Sequence, residues 1–356
     1  MKIAGIGMIN TRGLGIASFE NALESGWQKP EETAAHWRKG RNASAYLVNL
    51  DSLPDRSLLK KVRRSDSLSK MAVLAAADAL ADSRMGDAVP ARLGVIVATA
   101  FGPHVTTFDF LDDILDHGDA AVSPTTFSNS VHIAPASYIS MSLNIKGPTL
   151  TVTQFRFSFQ TALQLAKTWI DQRRCDHVLL GAVEQYGDVL GYVMDHKLTA
   201  APDGRIKPFS FNPTCQVPGE GSVFFLLSNT SAGNAYGTVH AVHINDDPDS
   251  ERTVDLDIID ADGMLPDESV YLRALSPSTP VAAYSPIFGS MMIGGAFNMA
   301  AGALMLKRRR VYAAPVQDNP RGVRVLTETG DRGVGSIRCT GFDCFGDRTS
   351  IYLSRE

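Results

Sequence analysis

Leu150–Ala162, LTVTQFRFSFQTA, follows Gly147-Pro148 and changes its period halfway along. Leu150, Val152 and Phe155 belong to a β-rich run, and the segment from Phe159 to Ala166 continues with helical character. A strand turns sharply into a helix. At such an elbow a side chain is held over the helix N-terminus, whose free N–H groups stabilise a developing anion, and many α/β enzymes mount a nucleophile there. Here the bend carries Arg156 between Phe155 and Phe157. A guanidinium is no nucleophile, and it stays protonated, so it cannot serve as a base. The stretch reads as active-site architecture from which the chemistry has been removed.

Working outward, strand-like runs at Lys2–Ile9, Leu93–Ala98, Thr149–Phe155, Val178–Val183 and Ser222–Leu227 alternate with helical stretches at Ser67–Asp82, Pro103–His117 and Gln160–Gln172. That alternation implies βαβ units around a mainly parallel, buried sheet. After Ser228 a small-residue linker, Asn229–Asn234, leads into a second and shorter pass through the same plan. Gly237–Ile244 answers the first strand, Pro280–Tyr284 answers Leu93–Ala98, and GGAFNMAAGALMLKRRRVYAAP (294–315) answers the elbow helix and the strand after it. SIYLS at 350–354 echoes SVFFLLS at 222–228. The expected fold class is α/β, with duplicated halves at 1–228 and 236–356 packed back to back as one unit.

Gly102-Pro103 is a helix start, and His104, Thr107, Phe108, Leu111 and Leu115 then share one face. The simplest reading of this stripe is packing on the core, although His104 and Thr107 make one end more polar than a core seam needs.

The 356 residues are 44% hydrophobic and 20% charged, which suits a folded globular chain. With 34 basic against 38 acidic residues the net charge of -4 gives no field to draw nucleic acid or a membrane surface. No run reaches the ~20 apolar residues that span a bilayer, and the N-terminus starts as a strand without the apolar core of a signal peptide, so a cytoplasmic location is expected. Cys175, Cys215, Cys339 and Cys344 lack paired metal-site spacing and read as structural thiols. Gly5-x-Gly7 has Asn10 in the third glycine's place, and neither a P-loop nor a G-x-S-x-G motif occurs. His240 and His243 lie three apart on a probable strand and point to opposite faces, which makes them poor joint ligands. Lys307-Arg308-Arg309-Arg310 closes a helix, where positive charge is favoured by the dipole and is ordinarily solvated; an acidic partner is the secondary reading. After His243 no histidine occurs in the last 113 residues.

Taken together, GIGMIN at the start, Ser67–Asp82, Val122-Ser123-Pro124, Lys146-Gly147-Pro148, Pro218-Gly219-Glu220-Gly221 and Gly289–Leu304 resemble the β-ketoacyl synthase family nearly end to end. The resemblance implies a thiolase-like fold, two duplicated α/β halves in α-β-α-β-α layers. Active members carry a cysteine at the elbow, histidines in A-H-G-T and K-S-x-x-G-H motifs, and a lysine. The matching positions here are Arg156, Asp262 (in Ala261-Asp262-Gly263-Met264), Ser290 and, for the lysine, Ser285. Without thiolate and imidazoles, acyl transfer and malonyl decarboxylation cannot run in that geometry. ADGM, VPGEG and GSMMIGGAFNMAAGAL look more like the chain length factors of type II polyketide synthases than like a decayed ketosynthase, although those often place glutamine at the elbow and are longer.

By that resemblance the chain is not itself an enzyme and carries no cofactor. It pairs with a catalytic ketosynthase as a heterodimer across strands equivalent to Thr149–Phe155, and meets the phosphopantetheine arm of an acyl carrier protein only through that partner. His104, Thr107 and Leu111 are then gate residues that close a polyketide tunnel and set product length, the product being an aromatic polyketide or a polyene. For Arg156 the expected partner is Asp262, with Phe155, Phe157 and Phe159 packed round the pair; the alternative turns it to solvent or to a backbone carbonyl. The rival function is a divergent β-ketoacyl synthase or acyltransferase with its nucleophile moved to Cys215. A third is a homodimeric acyl-chain binder.

Overall fold

Leu93–Thr99 and Gly221–Ser228 are apolar at consecutive positions, and both are buried along their whole length, because elements pack on both faces of the sheet they belong to. The structure, a computed structural model, describes residues 1–38, 42–53, 56–85, 89–230, 235–245 and 253–355. The sheet has ten principal strands in two sets of five. The first set is β1 (Lys2–Asn10), β2 (Leu93–Thr99), β3 (Thr149–Thr153), β4 (His177–Glu184) and β5 (Gly221–Ser228). The second is β6 (Thr238–Ile244), β7 (Leu256–Ile259), β8 (Val281–Ala282), β9 (Ser336–Phe342) and β10 (Arg348–Ser354). Gly13–Leu14 adds a short eleventh strand on β1.

The spatial order β8-β7-β9-β10-β6-β1-β5-β4-β2-β3 reads the same from either end when β6–β10 stand for β1–β5. Both sets pair two neighbours in parallel and two antiparallel, so the sheet is mixed and not mainly parallel. The duplication is therefore a property of topology, and it corrects two sequence matches. Pro280–Tyr284 answers the elbow strand β3, and Leu256–Ile259 is the strand that answers Leu93–Ala98. The strand after the second central helix, Arg310–Val311, pairs only with Gly330–Asp331 outside the main sheet, and β9 answers β4. The halves also meet edge to edge, where β1 runs antiparallel to β6 at Lys2 and Thr238. Of the Asn229–Asn234 linker, residues 231–234 lie outside the described residues.

The helices that matter for the site are α1 (Ser67–Asp82), α2 (His104–His117), α3 (Ala134–Ser142), α4 (Ser158–Asp171), α5 (Tyr271–Ala274) and α6 (Gly294–Arg308). α4 and α6 touch each other between the halves, α4 against β2–β4 and β6, α6 against β5, β7, β9 and β10. One apolar core runs through both halves, from Ile3 to Leu353. α1 and α3 cover the other face of the first half. α1 starts where Asp66 accepts the Ser69 N–H at 2.9 Å, a side-chain cap of a free helix-end donor.

The first-strand glycines have a packing role. A methyl group on Gly7 would stand 2.1 Å from the Ala79 nitrogen and 2.2 Å from the Ala75 carbonyl oxygen, so backbone meets backbone where α1 crosses β1. Gly7→Ala is expected to cost about 1–3 kcal/mol by overpacking, read as a lower urea midpoint at unchanged slope. A loss under ~0.5 kcal/mol, the range of an inert surface change, would contradict this close approach.

The α2 stripe does not pack on the core of this chain. Phe108, Leu111 and Leu115 are exposed, Leu115 at 82%, and Thr106 is the helix's buried residue. Three residues of the basic run at the end of α6 have contacts within the chain, and Arg309 is exposed: Arg308 reaches Glu20 at 2.7 Å, Arg310 reaches Asp331 at 3.2 Å, and Lys307 lies over the Tyr236 ring. His240 hydrogen-bonds Ser354 while His243 meets the Tyr352 ring. Among the described residues no helix is long and apolar enough to cross a membrane.

Candidate functional site

β3 ends at Thr153, four residues turn, and α4 begins at Ser158. Phe157 takes the left-handed conformation (φ 56°), which costs a non-glycine residue about 1 kcal/mol and survives only where the surroundings fix it. They do so here. Gln154 donates its side-chain amide to the Arg156 carbonyl and to Thr161 Oγ1 at 2.8 Å, and its own N–H goes to the Thr99 carbonyl at 3.2 Å.

Arg156 stands at the bend but does not pair with Asp262. Its Nη1 donates to Asp343 Oδ2 and, at 3.2 Å, to Asp347 Oδ2, and the guanidinium lies 4.5 Å from the centre of the Phe345 ring. The loop that supplies these partners is preorganised. Asp343 Oδ1 accepts the N–H groups of Phe345 at 2.8 Å and Asp347 at 3.0 Å. The aromatic shell also differs from expectation: Phe159 is buried against Phe225, while Phe155 and Phe345 are exposed at 60% and 77%. The reason is reach. The side chain of Arg156 is 42% exposed, so the arginine keeps part of its hydration by turning toward the mouth instead of entering the floor.

Behind the mouth lies a cavity of about 420 Å3, lined among others by Phe155, Phe157, Gln160, Asp260, Asp262 and Phe345. Asp262 is buried, accepts the Met264 N–H at 3.1 Å, and is pushed up to about 6 by burial. Asp260 accepts from Asn298 Nδ2 at 2.6 Å and is pushed up to about 7, by burial first and then by the charge of Asp262. Glu268 accepts the Gly263 N–H at 2.8 Å, and burial holds its carboxyl well above the usual range. Among the described residues Asp260 and Asp262 have no basic partner, so partial protonation is what makes two acids tolerable here.

Ser290 and Ser285 are engaged by backbone. The Ser290 hydroxyl donates to the Asp262 carbonyl and accepts the Val217 N–H at 3.1 Å, and Ser285 donates to the Ala261 carbonyl at 3.4 Å. These bonds tie the loops behind the cavity together. Burial raises the Cys215 thiol and keeps it protonated.

The three proposed gate positions are not gathered at one point. The His104 ring packs on Phe101, with centroids 5.9 Å apart, and burial lowers its pKa. Thr107 donates to the carbonyls of Pro103 and Ser130, and Leu111 faces outward at 43% exposure. Phe101 also meets Phe155 edge-on at 5.0 Å, so a chain of rings links the elbow to the start of α2. β3 is the outermost strand of its half, and Leu150, Phe108, Phe127 and Met141 are exposed.

Several site residues escaped the sequence reading: Asp343, Phe345 and Asp347, the raised carboxyls Asp260 and Glu268, and Glu184, considered below. The available signal was a pair of aspartates spaced by four across a Gly346 turn, a spacing that becomes informative once the loop is known to cross the elbow. An exposed basic run, Arg56, Lys60, Lys61, Arg63 and Arg64, was also passed over.

Residues 3–232 match the family model "Beta-ketoacyl synthase, N-terminal domain". The chain is 27% identical over 230 residues to nodulation protein E of Rhizobium meliloti, covering 58% of this chain and 56% of that protein. It is 24% identical over 244 residues to the protein of Streptomyces coelicolor named "Actinorhodin polyketide putative beta-ketoacyl synthase 2", covering 66% of this chain and 60% of that one. The match thus spans somewhat more than half the length of these relatives. In fold it is similar to the ishigamide ketosynthase/chain length factor, with a TM-score of 0.82, 16% identity, and coverage of 100% of this chain and 98% of that one. A fold retained at that identity, a mixed thiolase-like sheet wrapped around two central helices, agrees with the family match over its first 230 residues: the chain belongs to the β-ketoacyl synthase family.

Proposed function

We propose that this chain is a non-catalytic chain length factor of a cytoplasmic type II polyketide synthase, which pairs with a catalytic ketosynthase and shapes the tunnel into which the polyketide grows. The observation that carries this reading is the fate of the elbow. Where the family mounts a nucleophile, Arg156 is held by Asp343 and Asp347, and the positions that answer the histidines and lysine hold Asp262, Ser290 and Ser285. None of these can carry an acyl group as a thioester or stabilise an enolate as a cationic donor.

In this division of labour the partner's thiolate holds the chain and promotes decarboxylation of the incoming malonyl unit. This chain contributes walls. An outermost strand, β3, and the exposed apolar residues around α2 and α3 suit a partner that completes the sheet edge and buries the α2 stripe. The exposed run Arg56–Arg64 has the sign needed by a carrier protein with a phosphate-bearing arm. No cofactor of its own is required.

The test is co-expression with the ketosynthase encoded nearest to this chain, followed by native mass and malonyl elongation. A one-to-one complex is expected, with elongation falling more than ~100-fold when either chain is left out, as removal of an essential site demands. A stable homodimer that ignores the ketosynthase, or elongation by this chain alone, would sink the proposal.

A further inference from the structure

We propose that Glu184 is the positioning residue that fixes the chain-length gate, an inference that rests on the chain-length reading above. Glu184 ends β4, is 1% exposed, and is not among the residues that line the cavity. Its carboxyl instead gathers the turn that joins β2 to α2. One oxygen accepts the Ala100 N–H at 2.9 Å, and the other accepts the Phe101 N–H at 3.2 Å and the Thr99 hydroxyl at 3.3 Å. Thr99 Oγ1 in turn accepts the Gly102 N–H at 2.9 Å, which closes the turn just ahead of α2. Four consecutive residues are thereby set by one buried side chain.

The residue so placed that matters is Phe101. Its ring meets His104 on one side and Phe155 on the other, so its position decides where the first turn of α2 lies relative to the elbow. The ends of this stretch have other anchors, the Gln154 N–H on the Thr99 carbonyl at 3.2 Å and the His104 N–H on the Gly102 carbonyl at 2.8 Å, whereas the N–H groups of Ala100 and Phe101 go to Glu184. Without the carboxyl, two buried backbone N–H groups lose their acceptors, and the turn must relax to find others. A gate whose stiffness comes from this turn loses its sharpness before it loses its place.

The experiment uses the intact one-to-one complex with its ketosynthase and carrier protein, and reads the lengths of the products by mass spectrometry. Glu184→Ala is expected to lower the ratio of the main product to the next-longer one by about tenfold, the scale of discrimination by one steric contact. Glu184→Gln keeps one acceptor oxygen and should restore most of the ratio. Phe101→Ala should produce the same shift as Glu184→Ala, and the two together no more than either, because they act through one contact. Leu111→Ala serves as the control on the gate itself. If it moves the product distribution while Glu184→Ala and Phe101→Ala do not, the Glu184 assignment is overturned and the chain-length reading stands. If none of the three moves it, both are overturned. Should Glu184→Ala fail to assemble, Phe101→Ala decides the matter: a shifted distribution supports the assignment and a normal one overturns it.

Discussion

Arg338→Met is expected to remove about 3–5 kcal/mol of folding free energy, a large share of the roughly 5–15 kcal/mol that holds a domain together. Asp257 and Arg338 face each other in register on the parallel strands β7 and β9, at 0% and 2% exposure. The pair is bidentate, Nε to Oδ1 at 2.6 Å and Nη2 to Oδ2 at 2.8 Å, and Nη2 also donates to the Ala274 carbonyl at 3.2 Å at the end of α5. Removing the cation leaves a carboxylate in the interior with its strongest partner gone. The accompanying change should be equally clear: replacing both residues, Asp257→Leu with Arg338→Met, should recover most of the loss, because an apolar pair has no charge to desolvate. Urea denaturation of the three variants measures this. A loss below ~1 kcal/mol for Arg338→Met, the value of an exposed pair, would mean that the acid finds water or another cation. The consequence for the site follows from topology, since β7 leads into Asp260 and β9 into the loop that clasps Arg156.

Asp260→Asn is expected to stabilise the protein at pH 8 and to do nothing at pH 4. Burial raises the folded pKa of Asp260 from 3.8 to about 7, so the folded state binds the proton more tightly than the unfolded chain does. Stability therefore falls as pH rises from about 4 through 7, and the cost is complete above 7. At ~1.4 kcal/mol per unit the full effect is on the order of 4 kcal/mol, and the neutral amide avoids it. The amide oxygen can still accept from Asn298, so the one direct bond of this carboxyl need not be lost. Thermal or urea unfolding of both proteins across this range gives the answer. The gap should be largest at pH 8 and should close between 7 and 4. A gap independent of pH would show that Asp260 does not change its protonation on folding, and that the raised carboxyls of the cavity must be explained otherwise.

Much of the fold could be read from the chain. α1 occupies Ser67–Asp82 as the spacing implies, and the principal strands of the first half lie within a residue or two of their sequence bounds. The elbow was legible because its period changes within a few residues, from alternation to a helical stripe, and both signals are local. The second half was harder. β8 is only two residues long, and β7 four, so neither presents enough alternation to be told from loop. The match of Pro280–Tyr284 to the wrong strand came from composition alone, whereas the register with Asp257 and Ile258 is what identifies it.

The stripe on α2 teaches a related point. Helical spacing correctly put His104, Thr107, Phe108, Leu111 and Leu115 along one side, but periodicity reports only that a face is apolar, never what covers it. In this chain that side is largely open.

By itself, then, the sequence determined that a strand runs into a helix at 150–162 and that an arginine occupies the bend. Those are statements about chemical identity and short-range backbone preference, and both are written locally. Only the tertiary structure decided which acid takes Arg156. Asp343 lies 187 residues away along the chain, and it wins over Asp262 because a long, partly hydrated side chain needs a partner at the cavity mouth, whereas Asp262 is buried in its floor, where loss of hydration favours the uncharged form. Which loops converge on a point depends on the packing of the whole sheet, and no local pattern encodes it.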